Sequence, residues 1–289
     1  MDFNIVAISN LNIPKIDIAK AVEAVIDFLS DNFSPLTRAI SDMMESLYEM
    51  LVSGLLFFNP LVIIMLITLL AWFVGNRKNG LLAFFGLLLV WNMGLWEPTI
   101  ETISLVLIST TIAVGIGLPI GIFSALYTNV YRIIMPILDF MQTMPAFVYL
   151  IPAIPFFGLG PVSATFSTVI FAMPPAIRLT CLGIRQLPEQ LIEAADAFGS
   201  SRPQKLFKVQ LPLAMPTIMA GINQTIMLSL SMVVIAAMIG AGGLGSEVWK
   251  AIQRFKPGDA FEAGLGVVIV AIILDRITQQ IAKTEKQKE

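Results

Sequence analysis

The chain contains no histidine. That excludes a histidine metal site and a histidine general base. Its one cysteine, Cys181, cannot close an internal disulfide and is read as a small apolar filler. Zinc and haem spacings are absent, and no metal site is expected. Charge is scarce too: Asp, Glu, Lys and Arg make up 13% of the residues, against 56% apolar. That is about half the charged share of an ordinary soluble domain, too little to cover a globular surface. Residues 1–12 carry Asp2 and lack both a basic segment and an apolar run, so no cleavable secretion signal is expected there. What remains is a composition suited to a polytopic membrane protein, with lipid as solvent for most of its surface.

The first fifty residues differ from the rest. They hold eight acidic residues (Asp2, Asp17, Glu23, Asp27, Asp31, Asp42, Glu45, Glu49) against three basic ones (Lys15, Lys20, Arg38). Ile18, Val22, Val25 and Leu29 recur at helical spacing, as do Leu36, Ile40, Met44, Leu47 and Leu51. Two amphipathic helices are expected, separated by a break at residues 32–35. Each is too charged to span, and lying on the membrane surface or packing on the rest of the chain are both open to them.

Seven spans are expected, at residues 54–74, 81–96, 102–127, 133–157, 161–182, 211–239 and 263–281. In the last, Asp275 and Arg276 lie near the end, where long side chains snorkel to the headgroups. One set of loops and the C-terminal tail carry Arg77, Lys78, Arg132, Arg178, Arg185, Arg202, Lys205, Lys208, Arg276, Lys283, Lys286 and Lys288. The other side has Lys15, Lys20, Arg38, Lys250, Arg254 and Lys256. The excess of basic residues puts the first set in the cytoplasm, with the N-terminus outside. Prolines are dense in the spans, as expected of bent, tightly packed helices. Gly117 and Gly121 have the spacing that lets two helices approach closely.

Residues 186–205 form a polar island in this apolar chain. Pro188 suits a helix start, Glu189 and Glu193 complement the first turns, and Ala194, Ala195 and Ala197 favour helix with little bulk. Gly199 permits a sharp turn or a close backbone approach. Such a helix fits a groove on another protein; a plain cytoplasmic loop is the alternative. The spacing Glu193-Ala194-Ala195, three residues, Gly199, nine residues, Val209, one residue, Leu211-Pro212 resembles the EAA loop of bacterial ABC importer permeases. The departure is Val209, where isoleucine is commoner. Asp139-Phe-Met-Gln-Thr-Met-Pro-Ala-Phe-Val-Tyr-Leu-Ile-Pro152, Pro174-Pro-Ala-Ile-Arg-Leu-Thr180, Gln210-Leu-Pro-Leu-Ala214 and Ala236-Ala-Met-Ile-Gly-Ala-Gly-Gly-Leu-Gly245 are similar to the permease of glycine betaine/proline betaine importers. The resemblance covers about residues 55–282, and the acidic N-terminal tail shares it.

The resemblance implies an all-α polytopic membrane protein: a type I ABC importer transmembrane domain of about seven spans plus an N-terminal amphipathic helical tail. It divides the chain into an extracytoplasmic tail (1–53), a permease domain (54–282) with a cytoplasmic coupling loop (186–212), and a cytoplasmic tail (283–289). The function implied is ATP-driven import of glycine betaine or proline betaine. Choline, carnitine or an amino acid is the alternative cargo, and an ion-coupled secondary carrier the alternative mechanism. Glu193, Ala194, Ala195, Gly199, Leu211 and Pro212 would couple to ATPase subunits. The chain lacks the G-x-x-x-x-G-K-[ST] phosphate loop, so it is expected to be no enzyme and to hold no cofactor, with ATP–Mg in the partner ATPase. Expected partners are a second permease copy, two ATPase subunits, an extracytoplasmic binding protein and membrane lipid, with no nucleic acid.

Polar residues inside spans are candidates for a pathway or for helix–helix hydrogen bonds. At least one of Gln142, Asn223 and Gln224 is expected to face the pathway, and Asp139 to pair with Arg178 or Arg185. Phe147, Tyr149, Phe156 and Phe157 read first as lipid- or core-facing bulk, and secondly as aromatic contacts for a quaternary ammonium. Residues 240–245 match G-x-G-x-x-G by letter, but after a charge-free span the glycines are expected to serve tight turning and close packing.

Overall fold

Small residues decide how the helices of this chain stack. A computed structural model describes residues 17–286, and every regular element among them is helical. In order these are α1 (Ile18–Phe57), α2 (Pro60–Val74), α3 (Arg77–Asn92), α4 (Trp96–Leu126), α5 (Thr128–Thr143), α6 (Leu150–Phe157), α7 (Pro161–Arg185), α8 (Glu189–Ala197), α9 (Arg202–Lys205), α10 (Leu211–Ala236), α11 (Gly243–Gln253) and α12 (Pro257–Lys286). A 3-10 turn (Ala146–Tyr149) joins α5 to α6, and a π-helical turn (Leu206–Gln210) joins α9 to α10. Residues 1–16 of the expected N-terminal tail and 287–289 of the C-terminal tail lie outside the described residues.

At the centre α7 lies between α4 and α10. Its seams are lined by glycine. A Cβ on Gly121 of α4 would sit 2.7 Å from the Ile177 carbonyl oxygen and 2.7 Å from Thr180 Cβ, and one on Gly117 3.0 Å from Ala176 Cβ. On the other side, a Cβ on Gly221 of α10 would sit 3.0 Å from the Pro175 carbonyl oxygen, and one on Gly183 of α7 3.0 Å from Thr217 Cβ. In lipid, apolar burial adds little to helix association, so close backbone approach and dispersion must hold the helices together. Leu105, Leu230, Met232 and Val233 are buried around this stack, and a second buried group (Ile64, Leu87, Ile100, Ile273) ties the α2–α3 hairpin to α4 and α12.

Among the described residues, three helical segments are long and apolar enough to cross a bilayer: Trp96–Leu126, Pro161–Arg185 and Arg202–Ile239. Two bent pairs, α1 with α2 (102°) and α5 with α6 (113°), each qualify as a broken span. The remaining expected spans correspond to α3 and α12. α2 and α3, at 15 and 16 residues, are shorter than the roughly 20 a straight crossing takes.

Two expectations about helix ends are corrected. The acidic segment is one helix, not two, and runs through Pro35 to Phe57. Pro35 is exposed, so the Asp31 carbonyl that it deprives of a donor is left to solvent, while Asn32 Nδ2 donates to the Phe28 carbonyl one turn back (2.7 Å). The break falls instead at residues 58–59, where the Asn59 side chain accepts from Leu61 N (3.0 Å) and Pro60 starts α2. The fourth span is interrupted after Thr143, where Pro145 forces the preceding Met144 into an extended conformation (ψ 135°). The chain still climbs beside α7: Asp139 meets Arg178, the Tyr149 carbonyl accepts from Ser167, and the Ala153 carbonyl accepts from Ser163.

Candidate functional site

The polar island folds as a helical hairpin standing clear of the bundle. Pro188 caps α8, whose nine residues include none that is buried. Glu193 and Ala194 are exposed and Ala195 is half-buried. The helix ends in a Schellman turn. Gly199 N donates to the Asp196 carbonyl (2.9 Å) and Ser200 N to the Ala195 carbonyl (3.0 Å), with Gly199 at φ 72°. No heavy atom lies within 4 Å of where a Cβ on Gly199 would be, so backbone conformation alone demands glycine there. Ser201 N then donates to Gln204 Oε1 (2.9 Å) to start α9.

An ion pair closes the hairpin. Lys205 Nζ lies 2.6 and 2.7 Å from the two carboxylate oxygens of Asp196, with the lysine side chain only 19% exposed. From Lys205 the backbone passes through the π turn into α10, so hairpin and span form a continuous helical path. Leu211 packs with Ile184, Ala214 and Ile218 at the end of α7, and Pro212 stands beside it in the first turn of α10. The six sequence-derived coupling residues therefore fall into two groups: Glu193, Ala194, Ala195 and Gly199 on the free hairpin, Leu211 and Pro212 at the root of α10. Sequence reasoning missed Phe198, which is 90% exposed at the hairpin tip, and the Asp196–Lys205 clamp. The signal for Phe198 was available: one aromatic follows a helix whose last turn is built from small residues. The clamp joins positions nine apart across a turn, which no helical period reveals.

The same end of the molecule is tied together by Arg185. Its Nε donates to the Ala125 carbonyl at the end of α4 (3.3 Å), and its guanidinium lies 4.0 Å from the Tyr131 ring centroid on α5. Asp139 pairs with Arg178 (2.6 Å), one of its two expected partners.

The pathway candidates separate. Gln142 is exposed on α5, just before the break. Gln224 is exposed on α10, in a stripe with Ala220, Met227 and Ser231 at helical spacing. Asn223 points elsewhere: its Nδ2 donates to Asp275 Oδ1 on α12 (3.1 Å), and its Oδ1 is buried without a partner. Asp275 also accepts from Gln279 Nε2 (2.7 Å). Because α12 continues to Lys286, Asp275 lies well inside the helix and is turned onto α10. Of the aromatic candidates, Tyr149 is core, 6% exposed with its hydroxyl on the Met141 carbonyl, whereas Phe147 is 51% exposed.

At the opposite end the glycine-rich corner holds a carboxylate of the protein's own. Gly240, Gly242 and Gly243 have φ of 82°, 81° and 74°. The N-terminus of α11 so exposed receives Glu101 Oε2 at Gly243 N (2.5 Å) and Thr102 Oγ1 at Leu244 N (2.8 Å), both from α4. The letter match to a dinucleotide fingerprint is thus an internal anion site filled by Glu101. Among the described residues, no group of three or more Cys, Asp or Glu gathers as a metal site.

Residues 117–283 match the model of the family described as binding-protein-dependent transport system inner membrane component. The chain is 49% identical to the glycine betaine transport system permease protein of Bacillus subtilis, over 96% of this chain and 98% of that one. It is 49% identical to a glycine betaine/carnitine transport permease protein of Listeria monocytogenes, over 96% and 99%. With the glycine betaine/proline betaine transport system permease protein of Escherichia coli the identity is 45%, over 91% and 74%. In fold it is similar to a chain of an inward-facing methionine ABC transporter, with TM-score 0.60, 22% identity, and coverage of 64% of this chain and 93% of that one.

Proposed function

Because this chain belongs to the family of binding-protein-dependent transport system inner membrane components, we propose that it is the permease subunit of an ATP-driven importer for glycine betaine and related quaternary amines. The family and the all-helical transport fold are established by the match over residues 117–283 and by relatives at 45–49% identity. The cargo is inferred from the words those relatives carry.

The observation that carries the coupling role is the α8 hairpin: a helix with no buried residue, tipped by Phe198 and braced by Asp196–Lys205. Such a helix leaves its small-faced side and one aromatic free for a groove on a soluble partner. In this reading two ATPase subunits each take one hairpin, two permease copies flank the pathway, and a binding protein delivers solute from outside. The hairpin end faces the cytoplasm, the start of α1 lies on the outer side, and ATP–Mg binds in the ATPase. A push on Phe198 passes through the Schellman turn and the π turn into α10, whose exposed stripe holds Gln224 and Ser231. Gln142 and Gln224 are the pathway residues of this proposal, and Asn223 tethers α10 to α12.

The test is uptake into vesicles containing the permease co-expressed with its ATPase and binding protein. ATP-dependent uptake of radiolabelled glycine betaine, competed by proline betaine, is expected. Uptake that persists without nucleotide and follows an ion gradient would mean a secondary carrier instead.

A further inference from the structure

The Arg178–Asp139 pair is in an unusual place. α7 has 25 residues, about 37 Å of helix against a hydrocarbon layer of about 30 Å. Arg178 lies seven residues before the end of that helix, about 10 Å inside it. Charges at such depth are expensive unless they face protein or water. Yet the two side chains are open, Arg178 by 38% and Asp139 by 65%. The surface in front of them therefore meets water or a second copy of the chain, and not lipid.

The exposed surface of α5 has two faces. Ile133, Ile137 and Phe140 make an apolar stripe; Arg132, Asp139, Gln142 and Thr143 make a polar stripe that ends at the break. Asp139 keeps bonding capacity on its open side, and Arg178 lacks one partner on its buried side. Asp139 receives Arg178 through Oδ1, and the Arg178 Nε is buried without a hydrogen-bond partner. An open ion pair of this kind contributes little to stability, so a solute can part it at small cost.

We propose that Asp139 and Arg178 form a way station for a small zwitterion inside the membrane. The solute carboxylate takes the guanidinium of Arg178, and its quaternary ammonium takes the carboxylate of Asp139. Each protein charge exchanges one partner for another, so no charge is stranded at any point. A cation lacking a carboxylate strands Arg178, and an anion strands Asp139, which makes the station selective for zwitterions. The quaternary ammonium has no N–H to donate, so charge and not hydrogen bonding holds it. The choice of solute rests on the function proposed above.

The experiment uses the complete transporter in liposomes, with binding protein and internal ATP. It measures glycine betaine and choline uptake per ATP hydrolysed for the wild type, Asp139→Asn, Arg178→Gln and the double variant. Loss of a charge-assisted contact predicts a fall in glycine betaine uptake on the order of tenfold in the single and double variants. ATPase stimulation by the binding protein is expected within about twofold of wild type, since the hairpin is untouched. A merely structural brace behaves differently. Removing both members of an ion pair is nearly neutral, so the double variant would recover. A double variant that imports glycine betaine like the wild type overturns the way station alone. A wild-type complex that moves choline but not glycine betaine overturns the proposed cargo and the way station together.

Discussion

Gly240 and Gly243 sit three residues apart in one corner, both left-handed, and alanine at each should have very different consequences. At Gly240 (φ 82°) an added Cβ meets no heavy atom within 4 Å. Gly240→Ala should therefore cost the left-handed strain alone, about 1–2 kcal/mol. At Gly243 (φ 74°) the same Cβ lies 2.5 Å from Thr102 Oγ1, 3.4 Å from Thr102 N and 3.5 Å from the Pro98 carbonyl oxygen. The start of α11 must then move off α4. That breaks the bond from Gly243 N to Glu101 Oε2 and the bond from Leu244 N to Thr102 Oγ1. The carboxylate bond is worth about 1.5–3 kcal/mol and the hydroxyl bond about 0.5–1.5. With the strain, Gly243→Ala should cost about 3–6.5 kcal/mol. SDS titration of the purified permease in mixed micelles, followed by circular dichroism, measures both variants on one scale. Thr102→Ala opens the crowded space, so in the Gly243→Ala background its cost should be well below its cost alone. Equal destabilisation by the two glycine substitutions, or strict additivity of Thr102→Ala with Gly243→Ala, would refute the reasoning.

Gly199→Leu strains the Schellman turn by about 1–2 kcal/mol and re-aims Phe198. Membrane insertion should be normal while binding-protein-stimulated ATPase activity and uptake fall together. Lys205→Met opens the hairpin clamp. Because Asp196 is 54% exposed, the stability change should stay below about 1 kcal/mol. Hydrogen exchange in residues 189–205 should nevertheless rise, and uptake kcat should fall with KM unchanged. Asn223→Leu removes the α10 donor to Asp275 and should destabilise the protein by about 1–3 kcal/mol in the same SDS titration. Adding Asp275→Leu should then cost less than the sum of the two single changes.

Much of the architecture was legible because lipid imposes simple rules. A charge-free run of adequate length is a helix in a bilayer, since every backbone polar group must find its partner within the segment. The hairpin of α8 and α9 was legible for a different reason. Its chemistry is local: a proline start, small helix formers, and a glycine where the chain must turn left-handed. The break within the fourth span was harder to see, because Pro145 alone does not say whether a helix kinks or stops. The N-terminal helix misled in the opposite sense. Pro35 looks like a breaker until its exposure shows that solvent can take over the deprived carbonyl.

The sequence by itself determined the class of protein, the family, the helical hairpin at residues 186–212 and its turn at Gly199. The class follows from composition and length, the hairpin from short-range spacing, and the family from the resemblance of the motifs. Only the tertiary structure decided which polar residues are free and which are spent. Asn223 is tied through its Nδ2 to Asp275, fifty-two positions away, while Gln142 and Gln224 remain open. Glu101 fills the glycine corner from 142 positions away, and Arg178 meets Asp139 across 39. Those pairings depend on which faces of α4, α5, α7, α10 and α12 are turned together. Glycine seams on α4, α7 and α10 set the central part of that arrangement through contacts between helices distant in the chain, which no period along a single helix encodes.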